Sequence, residues 1–231
     1  MEENFSGIIP VKKPVGFTTY DLIRIFKKST GFNGKIGHGG TLDPFATGVV
    51  LLLLGEATKR FEEIRNWKKV YIAGIRLGIS SDTGDIAGEI MVSEKSDFKN
   101  LKKTAIEEVL KDFIGEIKQK VPSYSAAKFG GTPMYKLARK GVYVEKTRIV
   151  KISHIELLNF KIPLLTIKVT CLGGVYIRQL AMDISDKIGY PGLLYFLERS
   201  EVGNFSIKDC YTIEDFEKLQ LPEFHFTTRI F

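Results

Sequence analysis

Gly37-His38-Gly39-Gly40-Thr41-Leu42-Asp43-Pro44-Phe45-Ala46-Thr47-Gly48 is the stretch on which the reading of this chain turns. Four glycines fall within residues 34–40, more than a single turn needs. Glycine lets a backbone approach a ligand closely. Asp43 is the one acidic residue between Lys35 and Gly48. Asp43-Pro44 is also a turn-starting pair, so composition leaves an ordinary surface loop equally open. Several sharper readings fail. A phosphate-binding P-loop needs Gly-Lys-Ser/Thr, but Gly34-Lys35 is followed by Ile36. His38-Gly39-Gly40 is like an esterase oxyanion loop, yet no Gly-x-Ser-x-Gly occurs. Gly31-Phe32-Asn33-Gly34 fits the short Gly-x-x-Gly of a KH loop, a weak pattern that also reads as a helix stop.

Around this loop the pattern mixes helices and strands. Thr18 or Thr19 can cap a helix from about Tyr20, with Asp21 in its first turn and Gly31 and Gly34 ending it. The segment Val11–Gly16 before it reads as irregular and basic. Val49–Leu54 reads as a buried strand, Glu56–Asn66 as a helix and Val70–Leu77 as a strand. Gly78–Gly88 is turn-rich. Asn100–Ile114 carries a helical stripe of Leu101, Ile106, Val109, Leu110 and Phe113. Pro122–Gly141 is loop-like, with a short helix near Tyr135–Lys140. Lys146–Asn159 and Leu164–Leu172 read as strands, Val175–Ile188 as a helix, and Leu193–Leu197 as a short helix. A weak helix over Ile213–Leu219 precedes an aromatic tail. Without strict βαβ alternation, the class is α+β with a central, mainly antiparallel mixed sheet flanked by helices.

Composition bounds the function. The 231 residues carry 34 Lys and Arg against 27 Asp and Glu, a net charge of +7, and are 44% hydrophobic. Such a chain buries a real core and is neither disordered nor collagen-like. The basic balance is a mild pointer to an acidic partner such as nucleic acid. Two cysteines, Cys171 and Cys210, fit a reducing compartment. His38, His154 and His225 lie far apart, and neither cysteine has a partner at metal-ligand spacing. Residues 1–10 lack a basic segment followed by an apolar one, so no signal peptide is expected. The longest apolar run, Val49–Leu54, is too short to span a bilayer, so a cytoplasmic protein with no membrane contact is expected.

Five ordered blocks bring these residues together. The glycine-rich stretch resembles the signature of the TruB family of tRNA pseudouridine synthases. Lys13-Pro14-Val15-Gly16-Phe17-Thr18 is similar to the family's Lys-Pro-x-Gly-x-Thr motif. Lys69-Val70-Tyr71 with Leu77-Gly78 and Asp82-Thr83-Gly84-Asp85 resembles the segment bearing its active-site tyrosine. Pro122-Ser123-Tyr124-Ser125-Ala126-Ala127-Lys128 with Tyr135-Lys136-Leu137-Ala138-Arg139 resembles another block, and Gly174-Val175-Tyr176-Ile177-Arg178-Gln179-Leu180 the one with its essential arginine. The resemblance covers roughly residues 8–205.

The resemblance implies the pseudouridine-synthase fold, with a catalytic cleft, and an isomerase that needs no cofactor, metal or energy source. Uridine at nucleotide 55 of the tRNA T arm becomes pseudouridine when the N1–C1′ bond breaks, the uracil turns, and C5 bonds to C1′. Asp43 is implied as the catalytic aspartate, which either attacks C1′ or removes a proton at C2′. Arg178 is implied as its ion-pair partner, Tyr71 as the residue stacked on the target uracil, and Tyr176 and Leu197 as further contacts of the base. His38 is implied to contact nucleotides displaced when the uridine is extruded. Lys128 is the foremost candidate for a phosphate contact, with Lys12, Lys13, Lys35, Lys68, Lys69 and Arg139 behind it. The partner implied is the T-arm stem-loop of tRNA, and the chain is expected to act as a monomer.

Departures from the family pattern sharpen these expectations. About 25 residues follow Val202-Gly203, too few for the C-terminal RNA-binding domain of the PUA type that bacterial members carry. Residues 1–231 are therefore expected to form a single catalytic domain. Glu198 stands where the family has arginine, and Ser81 where it commonly has threonine.

Overall fold

The computed structural model describes residues 6–218. The chain runs β1 (Gly7–Lys13), α1 (Thr19–Thr30), β2 (Ile36–His38), β3 (Thr47–Leu54), a 3-10 segment at Gly55–Arg60, α2 (Phe61–Arg65) and β4 (Lys69–Leu77). It continues with β5 (Ile79–Ser81), β6 (Ile90–Val92), α3 (Lys103–Lys111), β7 (Gly115–Lys120), β8 (Lys128–Phe129), β9 (Thr132–Pro133) and α4 (Met134–Ala138). β10 (Thr147–Lys161), β11 (Leu164–Cys171), α5 (Ile177–Ile188), β12 (Gly192–Val202), β13 (Phe205–Ser206) and α6 (Ile213–Lys218) complete it. The chain divides into two compact units, residues up to Tyr71 together with those from Glu198, and residues Ile72–Leu197.

In the first unit β3 is the centre. Every residue from Gly48 to Leu54 is buried, as a continuous apolar run covered on both faces must be. β1 lies antiparallel to β3, with Lys13 opposite Gly48, and β2 pairs with its far end. β12 runs parallel to β3, with Arg199 opposite Gly48. Val49, Leu51 and Leu53 pack with Ala57, Ile64 and Val202. The sequence also shapes α1. Thr18 caps it and forms a capping box with Asp21, a contribution of about 1 kcal/mol. Leu22, Ile23 and Phe26 are buried, and the Phe26 ring meets Phe32 and Phe216 edge-on.

In the second unit the strand order is β12, β4, β11, β10, β7. β10 is antiparallel to both β11 and β7. β11 shows the period of two: Leu165, Ile167, Val169 and Cys171 are buried and their neighbours are not. Helices α3 and α5 pack on this sheet through Ile106, Leu110, Leu180, Ala181 and Ile184. The α+β, mainly antiparallel class holds, with β12 parallel to β3.

Several local readings change. Val11–Lys13, read as the start of an irregular segment, belong to strand β1. Ile9, Val11 and Lys13 all point inward, and a lysine at an inward position hides the alternation. Leu193–Leu197 belongs to strand β12 rather than a helix, because a short apolar run fits either and here Leu193, Leu194 and Leu197 fill a sheet. Glu56–Asn66 splits into a 3-10 segment and α2, and Asn100–Ile114 shortens to α3. Gly115–Lys120, a polar stretch with no expected element, is β7. The loops at 35–48, 78–88 and 122–141 each contribute short strands. Leu219, His225 and the aromatic tail lie outside the described residues.

Gly48 carries the tightest approach in the first unit. Its φ is +112°, and a Cβ there would collide with the carbonyl oxygen of Arg199 and stand 2.7 Å from its nitrogen. Gly48→Ala is expected to lower unfolding free energy by about 2–3 kcal/mol in urea titration, from forced overpacking on top of an unfavourable φ. A loss below ~0.5 kcal/mol would contradict this packing.

Candidate functional site

The loop from Gly39 to Ala46 is built by its own sequence. Asp43-Pro44 opens a turn that the Ala46 N–H closes on the Asp43 carbonyl at 3.1 Å. Leu42 and Ala46 are buried and anchor the turn, while Asp43 is half-buried. The Gly39 N–H donates to the Leu51 carbonyl at 2.8 Å, fixing the loop's start to β3.

Lys13 holds the turn from one side. Its side chain is fully buried, and its ammonium donates to the carbonyls of Pro14 (2.8 Å), Phe17 (2.7 Å) and Pro44 (3.1 Å). The Gly16 N–H reaches the same Pro44 carbonyl at 2.8 Å. Lys13 was a candidate phosphate contact on sequence, and its burial excludes that role. Burial draws its pKa down from 10.5 to about 8; the attraction of Asp43 opposes the shift and the charge of Arg199 adds to it. Lys69 likewise leaves the phosphate candidates: it is buried, with its ammonium on the Arg65 and Trp67 carbonyls. Lys12, Lys35, Lys68, Lys128 and Arg139 are exposed.

Arg199 holds the loop from its other end. It is buried, and its guanidinium donates to the carbonyls of Val49 (2.7 Å), Thr41 (3.2 Å) and Gly40 (3.2 Å). His38 is half-buried, and its Nδ1 accepts from the Gly40 N–H at 3.3 Å, which leaves the ring proton on Nε2. Burial lowers its pKa and Arg199 lowers it further, so His38 is neutral at pH 7. Tyr71 is buried on β4.

The second unit holds another polar arrangement. Arg178 sits in the first turn of α5 and is buried. Its Nε lies 3.2 Å from an Asp85 carboxylate oxygen, and its terminal nitrogens donate to the Thr83 (3.2 Å) and Tyr124 (3.3 Å) carbonyls. Asp85 is itself fixed: its other oxygen accepts from the Thr83 hydroxyl (2.8 Å) and the Ala87 N–H (3.0 Å). The Gln119 amide clamps Tyr176, taking its N–H at 2.9 Å and donating to its carbonyl at 3.1 Å. The Arg148 guanidinium stands 6.0 Å from the centre of the half-buried Tyr176 ring. Leu197 is buried on β12, and Lys128 is exposed on the β8–β9 hairpin.

Sequence reading missed Asp85, Gln119 and Arg199. Asp85 lay inside a block already singled out, and an acid in a Thr-Gly-Asp turn was its one signal. Gln119 and Arg199 sit in strands of mixed polarity, where no pattern marks a buried polar side chain. Among the described residues no group of three or more His, Cys, Asp or Glu could hold a metal ion, and no helix is long and apolar enough to cross a membrane.

Comparison with known proteins fits this framework. A chain in the structure titled Crystal Structure of a Cbf5-Nop10-Gar1 Complex superposes with a TM-score of 0.69 at 28% identity, covering 90% of this chain and 53% of that one. One in an H/ACA RNP bound to a substrate RNA containing 2′-deoxyuridine gives 0.66 at 25%, covering 90% and 51%. The chain thus spans about half the length of these solved chains. The fold is that of a pseudouridine synthase. Residues 25–177 match the family described as TruB family pseudouridylate synthase (N terminal domain). A tRNA pseudouridine synthase B from Clostridium tetani is 40% identical over 220 residues, 95% of this chain and 75% of that protein. One from Francisella tularensis is 40% identical over 222 residues, 95% and 72%. The chain belongs to the TruB family.

The lowered pKa of Lys13 has a consequence with a definite sign. Between pH 8 and 10.5 the unfolded chain keeps the Lys13 proton and the folded chain has shed it. The unfolded state then binds more protons, so this group makes stability rise with pH in that window. Relative to Lys13→Met, the wild type should gain on the order of 1 kcal/mol per pH unit from pH 8 to 10, read by urea titration. A difference that stays flat with pH would contradict it.

Proposed function

We propose that this chain isomerises uridine to pseudouridine at nucleotide 55 in the T arm of tRNA. One aspartate, Asp43, does the chemistry without a cofactor. The observation that carries the reading is the 40% identity to proteins named tRNA pseudouridine synthase B over 95% of the chain, which includes both compact units.

The reaction conserves atoms. The N1–C1′ bond of the target nucleoside breaks, the freed uracil rotates, and C5 forms the new bond to C1′. The C5 proton leaves and N1 takes one up. The Asp43 carboxylate either adds to C1′ and is later displaced, or takes the C2′ proton and later returns it. Both routes need the carboxylate held at a fixed place against the sugar, and the closed turn at Asp43–Ala46 supports that need.

The remaining roles follow the family resemblance. Tyr71 stacks on the uracil, since a planar ring tolerates a base turning in its own plane. Tyr176 and Leu197 also contact the base. Arg178 supplies a permanent charge for the catalytic carboxylate, and its anchoring by Asp85 supports a fixed geometry for it. Neutral His38 contacts nucleotides displaced as the uridine leaves the stack. Lys128, exposed on its hairpin, meets phosphate. The protein acts as a monomer in the cytoplasm.

A second reading, modification of another RNA under a guide, draws on the two solved complexes, one of which holds a substrate RNA. It rests on 25–28% identity, against 40% for the tRNA enzymes. A tRNA-folding factor without catalysis is separated from both by Asp43→Asn.

The test is tritium release from tRNA labelled at uridine C5, with no metal, nucleotide or guide RNA added. Wild type should release one tritium per tRNA. Asp43→Asn should release none, a fall of at least ~10³-fold, while still binding tRNA. Absence of release by wild type, or undiminished release by Asp43→Asn, would overturn the proposal.

A further inference from the structure

We infer that Arg199 is a positioning residue for Asp43: its buried guanidinium ties both ends of the loop that carries this aspartate. The inference rests on the proposed role of Asp43.

The geometry is closed. Nε donates to the carbonyl of Val49, after the loop, while the two terminal nitrogens donate to Gly40 and Thr41, before it. Asp43 lies between these anchors. Arg199's own backbone packs against Gly48, the residue where the loop enters β3. One residue therefore fixes the entry to the loop, its exit and the rung on which it ends. Lys13 adds a third tie at Pro44, next to Asp43.

Arg199 is 2% exposed, and its hydrogen-bond partners among the described residues are backbone carbonyls rather than a carboxylate. A buried cation held this way is costly unless its donors are all used. The fork shape of guanidinium suits the task, because carbonyls at Nε and at both terminal nitrogens lie along separate directions. A lysine ammonium is a single point and cannot span them.

The test pairs Arg199→Lys with wild type in single-turnover tritium release and in tRNA binding. The positioning role predicts a rate lowered ~10–100-fold, with the tRNA dissociation constant within about threefold of wild type. Phe26→Leu, a core change in α1, controls for lost stability and should leave the rate within about twofold. An unchanged rate in Arg199→Lys, or a loss carried by binding, would overturn the inference. So would an equal fall in Phe26→Leu.

Hydrogen exchange gives a second readout that needs no activity, and its wild-type arm needs no variant. In wild type the Ala46 amide should exchange at least ~100-fold more slowly than in a free peptide. In folded Arg199→Lys it should exchange faster while the β10 and β11 amides do not change. Free-peptide exchange at Ala46 in wild type would overturn the inference. Failure of wild type to release tritium would instead count against the proposed function, and the exchange result would still decide for or against a held loop.

Discussion

The carbonyl groups of the loop ahead of β3 turn into the protein interior, and two buried cations hydrogen-bond to them. Lys13 and Arg199 face the same glycine, Gly48, from the strands on either side of β3. Each makes three hydrogen bonds to backbone carbonyls. Burying two like charges is unfavourable, and hydrogen bonds to charged donors, worth about 1.5–3 kcal/mol each, offset it. The result is a loop whose backbone is fixed from outside, so that Asp43 is presented by a frame rather than by its own flexibility. Gly48 is required because the Arg199 backbone leaves no room for a side chain.

The second unit solves a similar problem with different parts. Arg178 is also buried, in the first turn of α5, but it has a carboxylate, Asp85, in reach. Asp85 is itself locked by Thr83 and Ala87, so the order runs from turn to carboxylate to guanidinium. Gln119 does for the Tyr176 backbone what a neighbouring strand would do, at a point where the sheet ends and the helix begins. Both arrangements hold residues of the proposed site on anchored backbone, which is what a reaction needing atoms aligned within fractions of an ångström demands.

The parts legible in sequence were those with local causes. Thr18, Asp21 and Gly31 announce α1, and Leu165, Ile167 and Val169 announce β11. Asp43-Pro44 announces its turn. The resemblance located the candidate residues, because it reads blocks rather than periods. What sequence hid were positions where polarity and burial disagree. Lys13 pointing inward made β1 look irregular and made a structural cation look like a phosphate contact. Lys69 misled in the same way. Gln119 and Arg199 are buried polar groups whose partners lie far along the chain, and Asp85 links its near neighbours Thr83 and Ala87 to the distant Arg178; no local pattern encodes such a distant partner. Leu193–Leu197 was ambiguous because five apolar residues fill a helix turn or a strand equally well.

Where the new pseudouridine stands tests the central claim most directly. The purified chain would be incubated with an unmodified tRNA transcript and the product mapped nucleotide by nucleotide. The account predicts pseudouridine at nucleotide 55 and nowhere else, and none in a transcript carrying cytidine there. Pseudouridine at another position, or an unaltered transcript, would contradict it.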